Sequence, residues 1–225
     1  MSILYSIVPN LEQLGEELIT CLVQTLQMSL ISGVFAFVLG IFFGVILIVT
    51  RRGGIFQNVV IYTILDKVID ILRSIPFIIL MVLLIPVSRA IVGTGSGVTG
   101  AYVPLIIGTI PFFARQIESV LADVDKGLIE ASEAMGFSPI EIIFSVYLKE
   151  SIPGITRVTM ITFVSLIGLT AIAGAIGAGG LGDFAIRYGY QAGYQDMIWV
   201  TVLLILIIIS VFQFIGNLIV KKTTH

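Results

Sequence analysis

Two aspartates four residues apart, Asp66 and Asp70, interrupt the apolar stretch FQNVVIYTILDKVIDILR at helical spacing. Carboxylates inside membrane helices are the usual carriers of a coupled proton or sodium ion, since an ionisable group in hydrocarbon is otherwise costly to keep. Beyond this pair the chemistry-bearing residues thin out quickly. Cys21 is the only cysteine, which excludes an intramolecular disulfide and a zinc site built on several thiolates; in its apolar run it reads as a packed small side chain. His225, behind the residues KKTT, reads as part of a frayed terminus and not as a metal ligand. The run GAIGAGG at 174–180 imitates a dinucleotide fingerprint, yet it lies in an apolar span with no strand before it. No glycine-rich loop ends in Gly-Lys-Ser or Gly-Lys-Thr, so the usual phosphate-binding loop for ATP hydrolysis is missing. No catalytic residue, metal site or cofactor site is therefore assigned to this chain.

The elements that position Asp66 and Asp70 are expected to be membrane helices. Of 225 residues 12% are charged and 57% hydrophobic, and the mean hydropathy is +1.11. Soluble domains carry about 25% charged residues, so lipid rather than one buried core must solvate this composition. A net charge of -2 leaves no electrostatic footprint for nucleic acid. The opening residues MSILYSIVPNLEQLGEEL have no basic n-region and no small-residue cleavage site, and do not read as a cleaved signal peptide.

Uncharged runs cover Leu18–Thr50, Ser74–Ser88, Ala90–Ala114, Val158–Gly182 and Met197–Val220, with 33, 15, 25, 25 and 24 residues. About 20 apolar residues cross the roughly 30 Å of hydrocarbon, so four runs suffice unaided. The shortest run directly follows the amphipathic stretch that holds Asp66 and Asp70. The two are expected to form one helix that enters obliquely and continues, past an irregularity at Pro76, to Leu84. With the N-terminus outside, ten of the twelve Lys and Arg residues fall on the inner side and only Arg89 and Arg187 on the outer. The expectation is an all-α polytopic membrane protein of five transmembrane helices and one transmembrane domain over residues 1–225. Its C-terminus is cytoplasmic, and a cytoplasmic loop at 119–157 joins spans three and four.

That loop contains DVDKGLIEASEAMGFSPIEIIFSVYLKESIPG, in which two helical patterns are separated by a stop. Asp123 or Asp125 can cap a first helix running to about Met135, and Gly136 can supply the left-handed residue that ends it. Ser138, Pro139 and Glu141 then form a helix start, with Ile142, Ile143, Val146 and Tyr147 as an apolar face expected to lie against the membrane domain. A solvated connector is the plain alternative. Connectors of helical bundles, however, need only about 2 to 8 residues, and ordering two capped helices costs entropy unless something packs on them.

Residues 130–153 resemble the cytoplasmic loop of binding-protein-dependent ABC importer permeases, where Glu-Ala-Ala is followed after three residues by Gly and later by an apolar residue and Leu-Pro. Glu130, Ala131, Gly136 and Leu148 match that pattern; Ser132 stands for the third Ala, Val146 for a common Ile, and Lys149 for the Pro. The resemblance implies a coupling helix that docks in a separate ATPase subunit through Glu130, Ala131, Ala134, Gly136 and Leu148, with ATP and magnesium held by that partner. Over most of its length the chain is similar to the methionine-importing branch of the family, through QTLQMSLISGVFAFVLG at 24–40, DILRSIPFIILMVLLIP at 70–86 and GLTAIAGAIGAGGLGDFAIRYGYQ at 168–191. This implies a homodimer in a bacterial inner membrane, working by alternating access with two ATPase subunits and an external solute-binding protein.

Small residues mark the expected packing or gate region: Gly40 and Gly44 in the first span, and Gly168, Gly174 and Gly177 in the fourth. In lipid, close backbone approach through small residues supplies the packing that hydrophobicity cannot. The same glycines fit either packing inside one subunit or a sliding dimer seam. From Gly177 the run GAGGLGD is too rich in glycine to hold a helix. GTGSGVTG at 93–100 is expected to form an outer loop and, with 179–196, a docking surface bearing Arg187, Tyr188, Tyr190 and Tyr194; an interfacial aromatic belt predicts the same tyrosines. Trp199 reads as an interface anchor. An ion-coupled carrier using Asp66 or Asp70, and a scaffold that only recruits a soluble protein, remain the rival readings.

Overall fold

The computed structural model describes residues 8–223, so His225 and residues 1–7 lie outside the described part. All regular structure among the described residues is helical. The order is α1 (Leu11–Thr50), α2 (Val59–Ser74), α3 (Phe77–Leu83), α4 (Ile85–Val92), α5 (Gly97–Ala122), α6 (Lys126–Ala134), α7 (Pro139–Ile142), α8 (Ile152–Ala173), α9 (Gly180–Phe184) and α10 (Gln195–Thr223). Wider π turns extend α7 over Ile143–Leu148, α8 over Gly174–Ala178 and α9 over Ala185–Gln191. Among the described residues four helical stretches are long and apolar enough to cross a membrane: Leu11–Thr50, Gly97–Ala122, Ile152–Ala178 and Gln195–Thr223. At about 1.5 Å per residue the 40-residue α1 is roughly 60 Å long, well beyond a bilayer's hydrocarbon.

The single helix expected through Asp66, Asp70 and on to Leu84 does not form. Asn58 caps α2 through Oδ1, which accepts from the N–H groups of Val60 and Ile61 at 3.2 and 3.1 Å. The helix stops at Ser74, because Ile75 precedes Pro76 and is driven to extended backbone at φ -82° and ψ 121°. A second interruption at Leu84 separates α3 from α4, which carries Pro86 in its first turn. The expected outer loop at 93–100 is also shorter: Gly93 ends α4 in left-handed conformation and Gly97 already opens α5. The third run accordingly forms a helix shifted toward the C-terminus, to Ala122.

The chain divides into two compact units. One unit takes the chain up to Val34, Pro76–Ile107 and Phe163–Phe212. Within it Leu18 and Cys21 pack with Leu181, Phe184 and Met197, and Met28 packs with Ala101, Leu105, Leu166 and Ala173. The expected break after Gly177 is present: Ile176 leaves helical conformation and Gly177, Gly179 and Gly180 all have positive φ. The restarting helix then needs partners for its free N–H groups. Gln24 Oε1 accepts from Gly180 N–H at 2.7 Å, and Thr25 Oγ1 accepts from Leu181 N–H at 2.8 Å. A side chain at Gly180 would place its Cβ 2.7 Å from Thr25 Oγ1, so glycine is required there by space as well as by φ.

The other unit takes Phe35–Ile75, Gly108–Thr162 and the chain from Gln213. Its main core joins Ile48 and Val49 of α1 to Phe113, Ile117 and Leu121 of α5, and both to Ile142, Val146 and Tyr147 of the loop. Gly40 and Gly44 make the α1–α5 approach possible. A Cβ at Gly40 would stand 2.6 Å from the Phe113 ring, and one at Gly44 would stand 2.5 Å from Ile117 and 2.9 Å from the Ala114 carbonyl. These two glycines therefore serve packing within one subunit.

Candidate functional site

The loop between α5 and α8 is built by local rules. Asp125 Oδ1 accepts from Gly127 N–H at 2.6 Å and starts α6. Gly136, at φ +83°, ends it, with Gly136 N–H donating to Glu133 O at 2.9 Å and Phe137 N–H to Ser132 O at 3.1 Å. Ser138 and Glu141 form the expected reciprocal box: Ser138 N–H donates to Glu141 Oε2 at 2.7 Å and Glu141 N–H to Ser138 Oγ at 3.3 Å. Ser138 Oγ also donates to Glu141 Oε2, at 2.7 Å, and the backbone and hydroxyl bonds from Ser138 hold the Glu141 carboxyl below its usual pKa. A carboxyl with a depressed folded pKa contributes fully above its unfolded value and loses the contribution as pH falls through the folded one. The box is thus complete at neutral pH and opens only in acid below the ordinary carboxylate range. Ser138→Ala is expected to speed amide exchange over 139–148 about fivefold at neutral pH, and hydrogen exchange checks it.

Lys149, standing where proline is usual in such loops, has a functioning backbone donor. Its N–H reaches Val146 O as the π turn ends. The bend follows at Ser151, whose N–H donates to Tyr147 O at 3.3 Å, and Pro153 lies in the first turn of α8. Burial of Ile142, Val146 and Tyr147 anchors this segment, and burial also raises the Tyr147 hydroxyl pKa.

What the anchored loop presents outward is apolar and small. Glu130, Ala131, Ala134 and Gly136 are all exposed, whereas Leu148 is half-buried against the core and serves the anchor. Around the first four lie Leu128, Met135, Phe137, Ile140 and Phe144, each between 40% and 68% exposed. An ordered loop displaying such a surface has the physical features of a protein-contact face. Ser132 is buried and bonded by Oγ to Leu128 O at 2.7 Å, which fixes the face that α6 turns outward.

Residues 36–225 match the family described as binding-protein-dependent transport system inner membrane component. The chain belongs to that family. Among similar proteins, a probable D-methionine transport system permease protein MetI of Vibrio cholerae serotype O1 is 45% identical over 208 residues, covering 92% of each chain. The methionine import system permease protein MetP of Bacillus subtilis is 45% identical over 174 residues, covering 77% of this chain and 78% of the relative. A solved inward-facing MetNI methionine ABC transporter has a chain 44% identical to this one, with TM-score 0.87 and coverage of 90% and 94%.

As an inner membrane component of that family, the permease is a multi-pass membrane protein and not an enzyme. Its acidic pair, the ion carrier of the rival reading, is paired with an arginine. Arg115 Nη2 donates to Asp66 Oδ1 at 2.8 Å and to Asp70 Oδ1 at 2.9 Å, while Nη1 donates to Glu118 Oε2 at 2.7 Å. One guanidinium thus ties α2 to α5. Sequence reasoning missed this cluster. The usable signal was that Asp66, Asp70 and Arg115 all interrupt apolar helices, where a charge needs a partner.

The permease's other small positions have different neighbours within the chain. Gly174 sits against the backbone of the break, where a Cβ would lie 2.6 Å from Asp183 N; Gly177 is left-handed; and a Cβ at Gly168 would meet nothing within 4 Å. On the same unit Arg187 pairs with Glu17 and Asp183, and Asn10 donates from its backbone and side chain to Asp196 at 3.1 and 2.9 Å. These contacts tie the expected outer surface to the start of α1. Trp199 and Tyr190 are exposed.

Proposed function

We propose that two copies of this permease form the translocation path of an ATP-driven importer for methionine, in both D and L forms. Two ATPase subunits carry ATP and magnesium, and an external solute-binding protein delivers the solute. The observation that carries this reading is the capped, anchored α6–α7 loop whose outward face is apolar and small, on a chain 45% identical to a probable D-methionine permease. Residues 119–157 form the cytoplasmic dock, with Glu130, Ala131, Ala134 and Gly136 at its contact face. The interrupted α3–α4 stretch supplies a fifth span, with the N-terminus outside and ten basic residues on the cytoplasmic side. ATP binding brings the two ATPases together, the docked loops follow, and the paired permeases open outward. Gly174 and Gly177, at the break between α8 and α9, are the backbone positions best suited to that movement.

Reconstitution of the permease with its ATPase and binding protein tests the reading. ATP-dependent methionine uptake that ignores ionophores, with two copies of each membrane and ATPase subunit seen by native mass spectrometry, is the expected result. Uptake without ATP that an ionophore abolishes would return the ion-coupled reading.

A further inference from the structure

A cleft of 740 Å³ lies in the second unit between the α1–α2 turn and α6. Arg51, Arg52 and Lys126 face it together with Glu130 and Glu133, and Tyr147 closes it. Three cations against two carboxylates leave one uncompensated positive charge. Among the described residues none of the three basic side chains forms an ion pair or side-chain hydrogen bond. Tyr147 is 3% exposed, and its hydroxyl likewise has no hydrogen bond to a described residue. The Tyr147 hydroxyl opens onto the cleft beside the unpaired guanidinium groups, so that several donors face it with no described acceptor of this chain bonded to them.

Backbone hydrogen bonds define the turn that carries Arg51 and Arg52. Arg51 N–H donates to Leu47 O at 3.1 Å, Gly54 N–H to Arg51 O at 2.9 Å, Phe56 N–H to Val49 O at 2.9 Å and Asn58 N–H to Thr50 O at 2.9 Å. Gly54 fits only because it lacks a Cβ, which would lie 2.9 Å from Ile48 O. The two arginines follow directly on the apolar run that ends at Thr50, and so stand at the level where lipid headgroups lie. The same turn exposes Phe56, and the start of α2 exposes Val59, apolar side chains that suit acyl chains and offer nothing to a free ion.

We propose that this cleft binds the phosphate group of an anionic phospholipid. Guanidinium groups match phosphate oxygens in pairs, Tyr147 adds a hydroxyl donor, and a single negative charge on the headgroup balances the cleft. The lipid would then brace α6 against the end of α1 beside the face proposed for ATPase docking. The inference rests on the loop being cytoplasmic, as proposed above, only for which leaflet supplies the lipid.

The test uses the complete complex in nanodiscs of equimolar phosphatidylcholine and phosphatidylglycerol, read by native mass spectrometry, which reports subunits and retained lipids separately. Phosphatidylglycerol should be retained over phosphatidylcholine. Its retention should fall about tenfold in R51Q/R52Q/K126Q, by a smaller factor in the exposed single variant K126Q, and not at all in the control K221Q/K222Q. Inorganic phosphate added to the buffer should not displace it; displacement would make soluble phosphate the ligand and overturn the lipid assignment. Equal lipid retention in the triple variant would overturn the site. If that variant instead lost the ATPase while keeping lipid, the cleft would belong to the protein partner.

Discussion

Ala131→Trp is expected to lower ATP-driven methionine uptake at least about tenfold, a loss of about 1.4 kcal/mol in docking, with the permease still inserted in normal amount. Ala131 lies on α6 between Asp125, which caps the helix start, and Gly136, which ends it. Its side chain is exposed, so no described residue of this chain must move to admit an indole. The core that holds the loop, at Ile142, Val146 and Tyr147, lies on the other side of the segment and is untouched. What the indole obstructs is a partner surface that must approach closely to a small residue. ATPase co-purification and uptake should therefore fall together while membrane abundance stays constant. Full uptake with a normal ATPase complement would remove α6 from the dock and leave the exposed Phe137, Ile140 and Phe144 as the contact surface.

The loop was readable in advance because each of its signals acts within a few residues. Asp125 caps a neighbour two positions on, Ser138 and Glu141 satisfy each other three apart, and Gly136 needs only its own backbone angle. Composition likewise made the chain a membrane protein, and the density of glycine after residue 174 announced the break. The missing parts depend on distant partners. Gln24 and Thr25 cap a helix 156 residues away, and a side chain's reach across a bundle leaves no periodicity in its own segment. Apolar content extends the second span to Leu84 with only an irregularity at Pro76, whereas the helix breaks fully there and again at Leu84. Ile75 before Pro76, and Pro86 just after Leu84, impose local backbone choices that hydropathy does not register. Glycine spacing in α1 marked a close helix approach correctly but not which helix approached; Phe113 and Ile117 of the same chain fill that space.

Arg115→Met should destabilise the permease by about 2 to 4 kcal/mol and reduce its abundance, and the reason also separates the importer from an ion-coupled carrier. The substitution keeps the apolar stem of the side chain but leaves Asp66, Asp70 and Glu118 facing one another without a cation. Glu118 is only 12% exposed and Asp66 24%, so water compensates them poorly; Asp70, at 53%, loses less. Neutralising the carboxylates should undo the damage: Arg115→Met combined with Asp66→Asn, Asp70→Asn and Glu118→Gln removes every orphaned charge. Thermal unfolding in detergent is expected to show the single variant well below the parent and the combined variant close to it. ATP-driven uptake should return with stability, because in this reading the carboxylates hold α2 against α5 and carry no ion. If uptake stays abolished in a combined variant that is as stable as the parent, Asp66 or Asp70 takes part in transport itself, and the charge cluster is more than a clamp.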